Sequence, residues 1–175
     1  RRREKTSFRR DHPHPSSFAE RDGLEKARIL IVGGGIGGLT SAIALRQRGF
    51  EVEIVEKDPA WSVYGVGIIQ QANVIRVMKQ LGVLDDYLEA GFGFDHVEIY
   101  LPDGRMAARV PSPKLVEGYP ANVGISRRTL HNVLGVRALA AGASIRIGLV
   151  AEGPEDDGQE GIARFRDGSP RPYDL

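Results

Sequence analysis

Apolar patterning begins abruptly at Arg28. Ile29-Leu30-Ile31-Val32 is a continuous apolar run, the mark of a strand buried on both faces of a parallel sheet. A glycine cluster follows, and then Leu39, Ala42, Ile43 and Leu45 recur at helical spacing until Gly49. Glu51-Val52-Glu53-Ile54-Val55 reads as a second strand, which closes a right-handed βαβ unit with parallel strands. Val74, Val77, Met78 and Leu81 mark one face of a second helix, ended by Gly82. Val97, Ile99 and Leu101 alternate, Pro102-Asp103-Gly104 turns, and Met106–Val110 returns, which predicts a β-hairpin. Ser126 is placed to cap a helix carrying Leu130, Val133, Leu134 and Ala138. Ser144-Ile145-Arg146-Ile147 alternates as a strand. An acidic turn over Pro154-Glu155-Asp156-Asp157-Gly158 then leads to a short strand around Ile162–Phe165 and a turn at Asp167-Gly168. A further strand is expected to start at Tyr173 and pair beside the first βαβ strands. Residues 1–26 are polar, contain His12-Pro13-His14-Pro15 and have no apolar period, so they are expected to form a disordered basic extension.

Composition narrows the classes. With 175 residues, 41% of them hydrophobic, there is material for a core. No apolar run approaches the roughly 18 residues of a membrane-spanning helix, so stable membrane insertion is not expected. The chain has no cysteine, which excludes disulfides, iron–sulfur clusters and thiolate zinc sites and fits a reducing, cytoplasmic setting. His12, His14, His96 and His131 are too scattered to suggest a metal site. The net charge of +1 hides an asymmetry: Arg1, Arg2, Arg3, Lys5, Arg9 and Arg10 stand against Glu4 alone in the first ten residues. The rest of the chain is mildly acidic, which argues against a nucleic-acid surface.

The chemistry lies in one turn. Gly33-Gly34-Gly35-Ile36-Gly37-Gly38 satisfies G-x-G-x-x-G through Gly33, Gly35 and Gly38. The pattern alone is weak in a chain with 22 glycines, but here it follows a strand, opens a helix, and is answered by Glu56 at the end of the next strand. Gly33 permits the tight turn, Gly35 lets a pyrophosphate reach the backbone, and Gly38 lets helix press on strand. The free N–H groups and positive dipole at the helix start suit phosphates. Glu56 is placed to accept hydrogen bonds from ribose hydroxyls, and its charge repels a 2′-phosphate, so NADP is not expected in this site. Lys57 is a candidate contact to the adenosine. On these residues alone the dinucleotide is either FAD or NAD.

The run ILIVGGGIGGLTSAIALRQRGFEVEIVEK, with YGVGI, NVIRVMKQLG and ISRRTLHNVL after it, resembles the FAD-dependent aromatic hydroxylases of the p-hydroxybenzoate hydroxylase type. In the last segment Arg127 and Leu130 fit the family's spacing best, with Arg128 a near rival. The resemblance implies an α/β fold: a Rossmann-like FAD-binding βαβ domain of the glutathione-reductase type with an inserted β-hairpin or meander. It implies that Gly33, Gly35, Ile36, Gly37 and Gly38 hold the FAD pyrophosphate and that Glu56 binds the adenosine ribose. Gly67 and Ile68 would lie near the flavin ring through their backbone, and Arg127 over the diphosphate or ribityl region. Trp61 and Tyr64 are candidates for the ring pocket or for the core. Further motifs of the family fall beyond Leu175, so residues 27–175 are expected to be the N-terminal part of the FAD-binding domain, ending before the substrate domain and unable to turn over alone.

The implied activity is hydroxylation of a small aromatic substrate, with O₂ as oxidant and NADH or NADPH as transient reductant; the cofactor carries the chemistry and no catalytic side chain is expected in this segment. Another FAD-dependent oxidoreductase (a reductase, halogenase or oxidase) and a non-catalytic dinucleotide-binding module are the alternatives. Oligomeric state has no signature here. Because residues 1–26 lack a core-facing pattern, their deletion is expected to leave melting temperature and flavin content unchanged. Thermal unfolding and flavin absorbance of the shortened chain check this.

Overall fold

A computed structural model describes residues 27–156 and 161–174. The expected basic extension, residues 1–26, and part of the acidic turn, residues 157–160, lie outside them. Strand β1 (Arg28–Val32), helix α1 (Ile36–Arg46) and strand β2 (Glu51–Glu56) form the predicted βαβ unit, with β1 and β2 parallel from Arg28↔Glu51 to Val32↔Val55. Strand β8 (Ser144–Ile147) adds to β2 in parallel, giving the order β1-β2-β8. Strands β3 (Gly67–Gln71), β4 (Phe92–Phe94) and β7 (Asn122–Ser126) form an antiparallel sheet in the order β3-β7-β4. The expected hairpin is β5 (His96–Tyr100) with β6 (Met106–Pro111). Strands β9 (Ala151–Asp156), β10 (Gly161–Phe165) and β11 (Pro170–Tyr173) make an antiparallel meander. Three helices complete the fold: α2 (Ala72–Gln80), α3 (Leu84–Ala90) and α4 (Arg127–Ala140).

Alternation along β2 divides the interior in two. Val52 and Ile54 face a core built with Leu39, Ala42 and Ile43 of α1, Ile75 and Met78 of α2, Tyr87 of α3, and Leu130, Leu134 and Ala138 of α4. Each large apolar side chain fully buried there contributes about 1.5–3 kcal/mol. Val55 points the other way, where it packs with Leu149, Ala163, Phe165 and Tyr173, with Leu30 against them. The parallel sheet therefore lies between helices on one side and the β9–β11 meander on the other.

Several local expectations hold. Ser126 caps α4, its hydroxyl accepting the Thr129 N–H at 3.0 Å. Gly49 and Gly82 follow their helices with positive φ (90° and 68°), the left-handed exit that glycine makes without a Cβ penalty. Others need correction. The apolar run in β1 is covered on both faces, Ile31 packing on the helix side and Leu30 on the meander side, but among the described residues β1 borders the sheet and Val32 at its end is 67% exposed. On α2 Met78 is buried, Val74 packs against the core and Leu81 is buried just after the helix, as expected, but Val77 turns outward and Ala72 and Ile75 complete the buried face. Pro154, Glu155 and Asp156 belong to β9 rather than to a turn. Tyr173 ends β11 instead of opening a strand, although the Asp174 N–H does donate to the Arg28 carbonyl of β1 at 2.9 Å.

A polar tie crosses the second interior. The Tyr173 hydroxyl donates to Glu53 Oε2 at 2.8 Å, and the same carboxylate meets Arg146 (3.4 Å) and Arg171 (3.7 Å). Burial, and then the neighbouring Glu53 carboxylate, push the Tyr173 phenol up from 10.0 to about 12. A phenol held protonated by the fold stabilises it below the unfolded value near 10, and that contribution is lost as pH rises toward 12. Tyr173→Phe is therefore expected to lose less melting temperature than the unaltered chain between pH 10 and 12. Thermal unfolding across that window measures the difference.

Candidate functional site

The glycine turn joins β1 to α1, and each glycine meets a different constraint. Gly33 has φ of +109°, and its N–H donates to the Val55 carbonyl at 2.8 Å, so the chain reverses directly against β2. A Cβ on Gly38 would overlap the Gly33 carbonyl oxygen and crowd the Ile31 side chain. Helix and strand touch at that point. Gly35 and Gly37 differ: a Cβ on either would meet no described heavy atom within 4 Å. They face open space. Gly35 is the N-cap of α1, and among the described residues no side chain caps that helix and no acid stands in its first turn. The first N–H groups of α1 have no intrahelical acceptor and meet no competing carboxylate, which leaves them available to an anion.

Glu56 sits at the flank of this turn. Its carboxylate accepts the Gly34 N–H at Oε2 and the Asp58 N–H at Oε1, both at 2.9 Å. Two backbone donors hold the group in place, and a carboxylate has further lone pairs for hydroxyl donors from a ligand. The loop after it is held by Asp58, whose side chain accepts the Ala60 and Ser62 N–H groups at 2.9 Å each. The Ser62 and Ala60 N–H groups keep the Asp58 carboxyl below its ordinary range. Lys57 is exposed.

The second group of predicted residues assembles through β3 and β7. In their register Gly67 lies opposite Ser126 and Ile68 opposite Ile125, and the Arg127 N–H donates to the Val66 carbonyl at 3.1 Å. The Arg127 stem lies on Gly65, where an added Cβ would come within 2.8 Å of Cδ. Gly65 also has φ of +101°, so glycine is required there twice over. Arg128 instead lines a different cavity. An open cleft of about 390 Å³ lies over Val66, Gly67, Ile68, Gly124 and Ile125. The two groups are linked by α4: one turn after Arg127 and on the same face, His131 reaches the glycine turn, with Nε2 2.8 Å from the Gly34 carbonyl oxygen.

His131 is a contributor that sequence reasoning missed, and Trp61, expected in the ring pocket or the core, joins it at the glycine turn. Trp61 is packed against the core, and its indole N–H donates to the same Gly34 oxygen at 2.8 Å. The Trp61 and His131 rings meet edge to face at 4.8 Å. Tyr64 is 82% exposed and takes no part. A signal for His131 existed: a polar residue directly after Leu130, on a helix whose neighbouring positions are core. A cavity of about 590 Å³ is lined by Trp61, Arg128, His131 and Val136. The uncapped N–H groups are at the turn, which is open surface.

A parallel βαβ unit, an uncapped helix behind a glycine turn, and an acid beside it at the end of the second strand define a dinucleotide-binding α/β protein. The chain belongs to the FAD binding domain family, which it matches over residues 26–172. Its fold is the mixed α/β FAD-binding fold of the FAD-dependent hydroxylases. It is 33% identical over 153 residues to aurachin C monooxygenase/isomerase of Stigmatella aurantiaca, covering 84% of this chain and 38% of that protein. It is 29% identical over 153 residues to 6-hydroxynicotinate 3-monooxygenase of Pseudomonas fluorescens, covering 86% and 40%. The solved tetrameric form of 2-methyl-3-hydroxypyridine-5-carboxylic acid oxygenase superposes with a TM-score of 0.70 at 30% identity, covering 86% of this chain and 38% of that one. The chain thus spans about two fifths of the length of these relatives. Among the described residues no helix is long and apolar enough to cross a membrane.

The contrast between the two kinds of glycine gives an expected outcome. Gly38→Ala forces the helix off the strand and is expected to destabilise the fold by about 1–3 kcal/mol. Gly35→Val fills open space, so unfolding of the apo chain is expected to change little while FAD affinity is lost. Denaturant unfolding and flavin titration of both variants read the two effects separately.

Proposed function

We propose that this chain is the cofactor-binding part of an FAD-dependent monooxygenase that hydroxylates a small aromatic ring, with O₂ and NADH or NADPH as co-substrates. One observation carries the reading: an uncapped glycine turn flanked by Glu56 is tied through α4 to Arg127 and β3. It supports reading the turn as an anion site, Glu56 as a hydroxyl-accepting carboxylate and Arg127 as a cation tied to the same helix.

In this reading the backbone of Gly33, Gly35, Ile36, Gly37 and Gly38 holds the diphosphate by N–H donation and helix dipole. Glu56 takes the adenosine ribose hydroxyls, and Lys57 reaches the adenosine. Gly67 and Ile68 lie beside the flavin ring and touch it through backbone. Arg127 supplies a positive charge to the diphosphate or ribityl region, which accounts for a cation at a helix start, where the dipole disfavours one. FAD held by these residues would supply the redox chemistry, in which two electrons from the nicotinamide let one atom of O₂ enter the ring while the other leaves as water. The chain's own part is binding and orientation. Residues 27–175 are then the N-terminal part of the FAD-binding domain, with residues 1–26 a basic extension outside it. The sheet is the glutathione-reductase-type variant of the Rossmann arrangement, and the setting is cytoplasmic, where the nicotinamide is supplied. The hydroxylated pyridines in the names of two of the relatives support an electron-rich hydroxylated ring as the substrate class.

Purified protein is expected to carry oxidised flavin visible in its absorption spectrum, or to bind added FAD on titration. In a protein of the relatives' length, a hydroxypyridine or hydroxybenzoate is expected to stimulate NADH or NADPH oxidation with formation of hydroxylated product. Glu56→Ala is expected to weaken FAD binding by roughly 1–3 kcal/mol, the range for a lost hydrogen bond to a charged group. A colourless protein with no affinity for FAD would sink the assignment.

A further inference from the structure

Gly34 occupies a position that the G-x-G-x-x-G pattern leaves free, yet it is closely constrained. It is buried, and a Cβ there would fall 2.7 Å from Trp61 Nε1 and 3.2 Å from Glu56 Cβ. Both of its backbone polar groups are engaged. The N–H donates to Glu56 Oε2 at 2.9 Å, and the carbonyl oxygen receives Trp61 Nε1 and His131 Nε2, each at 2.8 Å. A carbonyl oxygen can only accept and has two lone pairs, so the geometry assigns the imidazole proton to Nε2 and uses both pairs.

The two donors come from places that have no local reason to meet. Trp61 lies on the loop held by Asp58 and has φ of +47°, a left-handed conformation that a bulky residue adopts only under constraint. His131 comes from α4, 97 residues from Gly34 in sequence, and is buried beside apolar neighbours. Filling space needs neither a left-handed tryptophan nor a buried histidine.

The peptide unit explains what they do. The Gly34–Gly35 bond is planar and trans, so the Gly34 carbonyl and the Gly35 N–H point in opposite directions. Fixing one fixes the other. With the carbonyl held toward Trp61 and His131, the Gly35 N–H points the opposite way, away from both rings. Two donors on the carbonyl also polarise the amide and strengthen its N–H as a donor.

We propose that Trp61 and His131 are positioning residues that clamp the Gly34–Gly35 peptide so that the Gly35 N–H is presented to a cofactor phosphate oxygen. The proposal rests on the FAD-binding reading of the turn. The test compares the full chain with Trp61→Phe, His131→Phe and His131→Gln, the last of which retains a donor. For each, FAD affinity is titrated by flavin fluorescence, apo stability is read by thermal unfolding, and the Gly35 amide resonance is followed in the apo chain. Each Phe variant is expected to weaken FAD binding roughly 3- to 10-fold, the effect of one neutral hydrogen bond, and to move the Gly35 resonance. His131→Gln is expected to recover most of the affinity while its melting temperature falls as far as that of His131→Phe. Unchanged affinity in the Phe variants overturns the proposal. So does a loss that follows melting temperature equally in Phe and Gln, which is the signature of packing alone. If the unaltered chain does not bind FAD, the cofactor reading falls and the proposed ligand with it. The Gly35 resonance then still decides whether the clamp exists.

Discussion

How closely α1 can approach β1 governs everything at the candidate site. Gly38 sits against the Gly33 carbonyl, and any side chain there would push the helix away from the strand. That contact aims the helix N-terminus along the C-terminal edge of the sheet, next to the last residue of β2. Only with the helix so placed can Glu56 reach the Gly34 N–H, and only then does the turn present backbone donors beside a carboxylate. The same approach seals Leu39, Ala42 and Ile43 against β2, so the site and the core share one constraint.

Helix α4 brings together parts of the site that are far apart in sequence. Its 3.6-residue period lets one element serve several partners. Ser126 and Arg127 face the end of β3, His131 faces the glycine turn, and Leu130, Leu134 and Ala138 fill the core. Burial of the apolar stripe fixes the rotation of the helix, and that rotation sets where the arginine and the histidine point. The geometry of the candidate site is therefore a by-product of core packing, with Gly65 and Gly34 leaving room for what α4 delivers.

Sequence alone determined the local chemistry. The βαβ unit, the G-x-G-x-x-G turn, the hairpin and the Ser126 cap were legible because each depends on neighbours within a few residues: turn conformation, helical period or strand alternation. Glu56 was legible because its spacing from the turn follows from the length of one helix and one strand. Helix α3 and the short strands β3 and β4 were not, since seven-, five- and three-residue elements with two or more glycines nearby carry too little periodicity to stand out. The exposure of Val32 was not legible, because an apolar run reports the propensity to be buried but not where the end of a strand leaves the cover of its neighbours. What only the tertiary structure decided was the long-range convergence: Gly65 beneath Arg127, Tyr173 on Glu53, and Trp61 with His131 on the Gly34 carbonyl. These pairs are set by how whole elements pack, and packing depends on the summed shape of the core. No short stretch of sequence records that shape.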